Sequence, residues 1–153
     1  MPGPAEAAAA ALGITYKLVH HGPAGSLLEA AAAQGIPAGD LVKTLVVRRG
    51  EGDFLFVLVP GDRVISWPKL RALLGVNRLA LPDAATAKAA TGYERGTITP
   101  FGSSTPWPVI ADVSMRGRVI SLGAGERGVA LQVSASSAVA ALGGTFADVT
   151  EAA

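Results

Sequence analysis

The sequence predicts a mixed α/β domain of the α+β type, with a sheet that is mixed or mostly antiparallel. Predicted strands and helices follow one another without the regular strand–helix–strand order of a parallel sheet. The predicted strands 43–49 and 54–59 are separated only by the turn 50–53, so they should pair as a hairpin. The 153 residues show no internal repeat and no linker, which predicts a single domain over 1–153.

Capping residues mark the predicted helices. Each predicted helix except the first follows a side chain that can accept a hydrogen bond. The first helix has Pro4 near its start instead. The first four helices end at a glycine. The first predicted helix ends at Gly13, the second covers 27–34 after Ser26, and the third covers 68–74 after Ser66. The fourth runs from its cap Asp83 to Ala90, and the fifth runs from its cap Ser136 to Leu142.

Runs of apolar and β-branched residues mark the predicted strands. The segment 54–59 is continuously apolar, which predicts a strand buried on both faces. The other predicted strands cover 14–20, 43–49, 109–113, 118–122 and 129–133, with a terminal strand at 145–149 and a short strand or loop at 77–81. Glycine, proline and hydroxyl residues dominate 92–108, which predicts a structured loop.

Composition excludes several kinds of chemistry. The chain has no cysteine, so disulfides, thiolate zinc sites and a cysteine nucleophile are excluded. Absence of cysteine fits a reducing cytoplasm, the N-terminal residues make a poor signal peptide, and no apolar run is long enough to span a membrane. The net charge of +1 is unlike that of proteins that hold nucleic acid mainly through phosphates. Any RNA contact should therefore involve a small terminal feature or depend on a partner.

Lys43 stands at the start of an apolar strand. It could be a surface lysine at a strand edge, or a lysine aimed into a cleft, where its ammonium would bind a phosphate or a developing oxyanion. Alternation places Lys43 and Leu45 on one face and Thr44 and Val46 on the other. An apolar neighbour on the same face is unusual for a lysine without a function.

Two glycine-containing segments are candidates for binding. The loop 92–102 could cradle an anion or a carbonyl oxygen with its N–H groups, or it could be an ordinary connection. The segment 121–128 formally matches GxGxxG, but a strand follows it instead of a helix, so it predicts a turn beside the cleft.

The remaining polar and aromatic candidates are few. His20 and His21 should point to opposite faces of a strand, which excludes joint chelation of a metal, although one could face a cleft. Asp112 lies in an apolar strand and needs a partner, such as Arg116, Arg118 or a loop N–H. The aromatic residues favour packing in the core or at its rim over base stacking: Trp67, Tyr93 and Trp107.

Over nearly its whole length the chain resembles the YbaK/EbsC family, which includes the editing domain of prolyl-tRNA synthetase and its free-standing relatives. The order and spacing of several short motifs carry this resemblance. They are KTLVV at 43–47, GY at 92–93 with GTITPFG at 96–102, PVIAD at 108–112, GERG at 125–128 and, more weakly, TFADV at 145–149.

The resemblance implies a mixed, barrel-like sheet surrounded by helices, and hydrolysis of the ester that joins a mischarged amino acid to the tRNA 3′ end. It places the essential lysine at Lys43 and a GxxxP loop at 96–100, so that Lys43 and Gly96 are the catalytic candidates. The candidates for substrate binding are Thr44, Thr97, Ile98, Thr99, Pro100, His21, Asp112 and Gly123. The implied partners are the 3′ end of mischarged tRNA and prolyl-tRNA synthetase, without metal, organic cofactor, DNA or membrane.

Departures from the family leave the substrate open. Relatives that remove cysteine usually carry a serine at the position of Gly123, an acidic residue near Ala130 and an aromatic residue near Val19 or His20. The amino acid removed from tRNA(Pro) could thus be cysteine, alanine, serine or another. Two other functions stay open: a non-catalytic module that binds an aminoacyl-adenosine-like ligand or a synthetase, and a hydrolase of small aminoacyl esters. The leading hypothesis requires Lys43 and the amides of 96–100 to face one pocket.

Overall fold

The computed structural model describes residues 3–22 and 24–153. Helices and strands in these ranges alternate irregularly along the chain. The helices are α1 (Pro4–Ala11), α2 (Leu27–Gln34), α3 (Trp67–Leu74), α4 (Ala84–Thr91) and α5 (Ala135–Ala141). The strands are β1 (Tyr16–His20), β2 (Val42–Gly50), β3 (Asp53–Pro60), β4 (Arg63–Ile65), β5 (Val109–Asp112), β6 (Val119–Gly123), β7 (Val129–Ser134), β8 (Thr145–Ala147) and β9 (Thr150–Ala152).

Local capping explains where the helices begin. The Ser26 hydroxyl accepts the Glu29 N–H at 3.1 Å at the start of α2, and Ser66 and Asp83 cap α3 and α4 in the same way, as predicted. In the described part of the chain, no helix has the length and apolar character to cross a bilayer.

The predicted cap of the last helix was wrong. Ser134 begins α5, because its hydroxyl accepts the N–H of Ser137 at 3.3 Å. Ser136 lies inside the helix instead, and its hydroxyl accepts the Gly117 N–H at 3.3 Å. Both serines have suitable side chains, and only the direction of the chain leaving β7 selects the first of them.

The strands form three sheets, with the orders β1-β7-β6, β2-β3-β5-β8 and β4-β9. Pairing is antiparallel except between β3 and β5 and between β5 and β8, so the prediction of a mixed, mostly antiparallel sheet is confirmed. The sheets do not close into a complete barrel. A single parallel bridge, Leu41 to Ser121, joins the start of β2 to β6.

The C-terminal segment differs from the single strand predicted at 145–149. It forms two short strands, β8 beside β5 and β9 beside β4, and Val149 between them is fully buried. The three residues of β4 were not predicted as a strand, because so short a run carries no readable alternation. A hydrogen bond of 2.6 Å from the Arg63 side chain to the Thr150 hydroxyl holds β4 to β9.

The four-stranded sheet separates two apolar clusters. On β3, Phe56 and Leu58 belong to the larger cluster, whereas Val57 and Val59 belong to the smaller one. This strand is buried on both faces, as its continuous apolar run predicts. Burying an apolar side chain of this size contributes roughly 1.5–3 kcal/mol, so β3 is the main apolar anchor of the sheet.

Each predicted aromatic packing position is confirmed. Trp107 meets the Phe54 ring edge-on at 5.2 Å, and its indole N–H donates to the Ala90 carbonyl at 2.8 Å. Tyr93 is buried and donates its hydroxyl to the Phe101 carbonyl at 2.6 Å. Trp67 packs against the smaller apolar cluster.

Asp112 finds its partners in main-chain N–H groups and hydroxyls, not in arginines. Its carboxylate accepts the Ser114 N–H at 3.2 Å and the Val149 N–H at 3.3 Å. Arg116 instead lies over the Phe146 ring, and Arg118 pairs with Asp40. Burial raises the pKa of Asp112, but hydrogen bonds from Ser114, Thr150 and Val149 outweigh burial, so the pKa lies below its ordinary value of 3.8.

We predict that Asp112→Ala lowers the free energy of unfolding by about 1–3 kcal/mol, the cost of leaving a buried donor such as the Val149 N–H without an acceptor. Urea denaturation at neutral pH measures the change. The carboxylate stabilises the fold above its unfolded pKa, and this stabilisation disappears as the pH falls through its lowered folded pKa. The difference between the two proteins should therefore shrink at pH values below 3.8.

The control variant is Asp148→Ala, which removes an exposed ion pair of 2.9 Å with Lys69. Its effect should stay within about 0–1 kcal/mol. If both variants lose the same free energy of unfolding, the buried hydrogen bonds of Asp112 contribute no more to stability than an exposed ion pair.

Candidate active site

The outer edge of β2, which faces away from β3, forms one wall of a cavity. Arg48 exchanges hydrogen bonds with Ala80 across this edge, and the Phe56 N–H points away from β2 to the Pro108 carbonyl. Because main-chain groups alternate along an antiparallel pair, the N–H and C=O groups of Thr44 and Val46 also point to the outer edge. No strand among the described residues pairs with this edge between Leu41 and Arg48.

The cavity has a volume of about 850 Å³. Ligand pockets for molecules of drug or cofactor size have roughly 300–1,000 Å³, so it has room for a nucleoside bearing a small acyl group. Helix α2 and the segment before it form a second wall, and the beginning of α4 forms a third. Gly96, Ile98 and the turn between β6 and β7 complete the lining.

Lys43 lines this cavity and is half-buried. Its ammonium donates to the Arg63 carbonyl at 2.7 Å, which leaves two of its three N–H groups for other acceptors. Burial lowers the pKa of Lys43 below 10.5, and the charge of Asp62 partly opposes this effect. Leu45, on the same face, packs against the smaller apolar cluster, whereas Val46 belongs to the larger one, as alternation predicts.

Three residues of the cavity wall carry a buried polar atom without a hydrogen-bond partner in the described part of the chain. These atoms are Thr44 Oγ1, His21 Nδ1 and Gln34 Nε2. Buried polar atoms without a partner are rare in folded proteins, so each of them needs a physical explanation. Their grouping around one cavity indicates a wall that suits a polar ligand.

Gln34 was not predicted from the sequence. Its side-chain carbonyl accepts the Ser121 hydroxyl at 2.6 Å and the Gln132 amide at 3.3 Å. A glutamine in the last turn of a short helix has no local pattern that sets it apart. Only the docking of α2 against β6 and β7 brings it to the cavity.

The glycine-containing loop contributes to the cavity through its first half. Gly96 and Ile98 line it, and neither main-chain N–H has a protein acceptor among the described residues. The Thr97 N–H is used by the Glu94 carbonyl at 3.0 Å. The main-chain N–H groups of Gly96 and Ile98, like that of Arg95, therefore have no acceptor among the described residues.

The other residues of the GxxxP loop, Thr97, Thr99 and Pro100, make contacts within the protein instead of lining the cavity. The Thr97 hydroxyl donates to the Glu94 carbonyl at 2.7 Å, and the Thr99 hydroxyl accepts the Phe101 N–H at 3.4 Å. Thr97, Thr99 and Pro100 are buried and lie outside the cavity lining. These side chains hold the loop in shape, so that any contact of theirs with a ligand would be indirect.

Gly123 forms part of the cavity floor, as does the turn that follows it. A β-carbon at this position would lie 2.8 Å from the Ile98 carbonyl oxygen and 3.3 Å from that of Thr97. The turn and the loop therefore pack backbone against backbone, reinforced by a Gly125 N–H donated to the Thr97 carbonyl at 3.0 Å. A serine at this position, which the family resemblance led us to expect, would not fit without displacing the loop.

The structure thus brings six of the predicted site residues to one cavity and leaves four outside it. Those at the cavity are Lys43, Gly96, Thr44, Ile98, His21 and Gly123. Asp112, whose hydrogen bonds lie at the junction of β5, β8 and β9, is outside it together with Thr97, Thr99 and Pro100. The functional roles of all ten residues stay predictions.

Comparison with known proteins identifies relatives with this architecture. A family model described as an aminoacyl-tRNA editing domain matches residues 21–138, which include the whole cavity lining. A curated relative from Enterococcus faecalis, named "Putative Cys-tRNA(Pro)/Cys-tRNA(Cys) deacylase EbsC", is 26% identical over 121 residues, or 78% of this chain and 74% of the relative. A proline–tRNA ligase from Desulfovibrio desulfuricans is 37% identical over 92 residues, which are 60% of this chain but 16% of the ligase.

Solved structures agree with these matches. The crystal structure of the hypothetical protein APE2540 has a TM-score of 0.90 and 28% identity, covering 97% of this chain and all of the other. A second, described as "a putative trans-editing enzyme for prolyl tRNA synthetase", has a TM-score of 0.85 and 26% identity, covering 95% and 94% of the two chains. The chain therefore belongs to the YbaK-like aminoacyl-tRNA editing domain family.

Proposed function

We propose that this protein is an aminoacyl-tRNA deacylase, which hydrolyses the ester between a wrongly attached amino acid and the 3′ end of tRNA(Pro). The observation that carries the proposal is that Lys43, Gly96 and Ile98 line one cavity, and that the main-chain N–H groups of Gly96 and Ile98 have no acceptor among the described residues. Membership of the editing-domain family supports the reaction class. The names of the relatives support tRNA(Pro) as substrate and prolyl-tRNA synthetase as partner.

The chemistry follows from the donors at the cavity. An aminoacyl ester is already activated, so a positioned water, or the thiol of a cysteinyl substrate, can attack its carbonyl without a nucleophile from the protein. Negative charge then develops on the carbonyl oxygen, where main-chain amides and an ammonium stabilise it without rearranging. In this proposal Gly96 and Ile98 donate to the aminoacyl group, and Lys43 binds either the developing oxyanion or the terminal nucleotide.

The finer features of the proposal rest on the same cavity. A small amino acid such as cysteine, alanine or serine fits beside an adenosine in about 850 Å³. The near-neutral charge of the chain favours transient association with prolyl-tRNA synthetase to gain tRNA affinity. We propose that residues 1–153 act as one editing domain in the cytoplasm, where tRNA is charged.

We predict that Lys43→Ala slows the deacylation of at least one of Cys-, Ala- and Ser-tRNA(Pro) by roughly 100-fold to 1,000-fold, as expected for loss of one donor to a developing charge. The release of amino acid from labelled tRNA measures the rate. Lys17→Ala is the control, since Lys17 is exposed on β1 and lies outside the cavity lining. Its rate should match that of the unmodified protein.

Other outcomes distinguish the rival functions. Binding of charged tRNA without turnover, unchanged in Lys43→Ala, would favour a non-catalytic module. Hydrolysis of small aminoacyl esters but not of charged tRNA would favour a general esterase. Either result would reject the proposed function.

The pKa of Lys43 predicts a pH dependence. Because burial lowers this pKa below 10.5, the ammonium loses its proton at a lower pH than an exposed lysine. The rate advantage of the unmodified protein over Lys43→Ala should be greatest near neutral pH and should shrink as the pH rises through the lowered pKa. Rates corrected for spontaneous ester hydrolysis test this, and an advantage that grows with pH would contradict it.

The contact at Gly123 predicts that Gly123→Ala disturbs the loop. An added methyl group would collide with the Ile98 carbonyl, and overpacking of this kind costs about 1–3 kcal/mol of stability. We expect a lower melting temperature and slower deacylation. Gly50→Ala is the control, because its nearest new contact is an ordinary 4.0 Å. Unchanged activity in Gly123→Ala would show that the loop position does not matter for the reaction.

A further inference from the structure

A smaller depression adjoins the main cavity and extends it along the surface. It has a volume of about 290 Å³ and is lined by Ala84, Ala85, Lys88, Glu94, Arg95 and Arg127. Three of these residues, Ala84, Arg95 and Arg127, also line the main cavity. The two arginines therefore lie where the main cavity and the smaller depression meet.

Arg127 is held at this junction by the loop beside it. Its Nη2 donates to the Arg95 carbonyl at 3.4 Å. Its Nη1 lies 3.5 Å from the point where a β-carbon of Gly96 would be, which places the guanidinium over the start of the loop. The turn after β6 and the loop before Ile98 thus present the two arginines together.

Neither arginine forms an ion pair within 4.0 Å in the described part of the chain. The nearby carboxylates are mostly engaged elsewhere: Asp83 accepts the Thr86 N–H at the start of α4, and Glu94 pairs with Lys88 at 3.4 Å. Glu126 also lines the main cavity and is exposed. The guanidinium donors of Arg95 and Arg127 are therefore available to an anion from outside the protein.

We propose that Arg95 and Arg127 bind the phosphodiester group that joins the terminal nucleotide to the one before it. This inference rests on the proposed function, which seats the aminoacylated nucleotide in the main cavity. A strand that continues from the main cavity into the smaller depression passes the two arginines, and a guanidinium matches the oxygens of a phosphate with paired N–H donors. A contact with a single phosphate needs few basic residues, which agrees with the net charge of only +1.

The test compares two substrates that differ in this phosphate. One is the charged tRNA that the protein hydrolyses fastest, and the other is the same amino acid esterified to adenosine, which has no phosphodiester. The variant is Arg95→Gln with Arg127→Gln. The control, Arg71→Gln with Arg78→Gln, removes the same charge at two arginines that lie outside the cavity lining and, like Arg95 and Arg127, form no ion pair in the described part of the chain.

We expect the Arg95/Arg127 variant to raise KM for charged tRNA by roughly 10-fold to 100-fold, the size of a lost charge-assisted hydrogen bond. Its kcat, its hydrolysis of the adenosine ester and its melting temperature should match those of the control. The slope of log(kcat/KM) against log[salt] should become shallower by about 0.7, as expected for one phosphate of a single strand.

The outcomes separate this inference from the proposed function. If the unmodified protein hydrolyses neither substrate, the proposed function fails. Two results would disprove the phosphate contact in a protein that hydrolyses charged tRNA. In the first, the Arg95/Arg127 variant has the same KM for charged tRNA as the control. In the second, its kcat/KM falls equally for charged tRNA and for the adenosine ester. If the adenosine ester is not a substrate at all, the salt slope decides, and an unchanged slope overturns the inference.

Discussion

The separation of β2 from β6 is the constraint on which the site depends. The two strands meet at one bridge, Leu41 to Ser121, and β2 pairs with β3 on its other side. A closed barrel would use the outer edge of β2 in a ladder of hydrogen bonds and leave no cavity. Because no described strand pairs with this edge between Leu41 and Arg48, the main-chain groups of Thr44 point towards the cavity, which the loop and the turn after β6 also line. The barrel-like sheet is thus open at the cavity in which we propose that the ester is hydrolysed.

The position of Lys43 depends on the end of the chain. Its ammonium donates to the carbonyl of Arg63, whose side chain donates to the Thr150 hydroxyl. Val149, the residue before Thr150, donates its N–H to the Asp112 carboxylate at 3.3 Å. Asp112 therefore lies outside the cavity but helps to hold the C-terminal segment to which Arg63 is bonded. This connection gives a physical reason for an aspartate in a strand whose neighbours are apolar.

Local signals predicted most of the fold. Ser26 with Gly35, and Asp83 with Gly92, set the ends of their helices because capping involves only residues a few positions apart. The hairpin of β2 and β3 followed from its short turn. The choice between Ser134 and Ser136, and the pairing of β4 with β9, could not be predicted, because each depends on residues that are distant in the sequence.

By itself the sequence determined the alternation of β2, the loop at 96–102 and the turn after β6, because these are local properties of composition and spacing. Tertiary structure alone decided that Lys43, Gly96 and Gly123 share a cavity, that Gln34 joins them, and that Arg95 and Arg127 lie between this cavity and the smaller depression. It also decided that Thr97, Thr99 and Pro100 turn inward. The physical reason is that a cavity is a gap between elements, and the packing of all its walls together sets which side chains reach it.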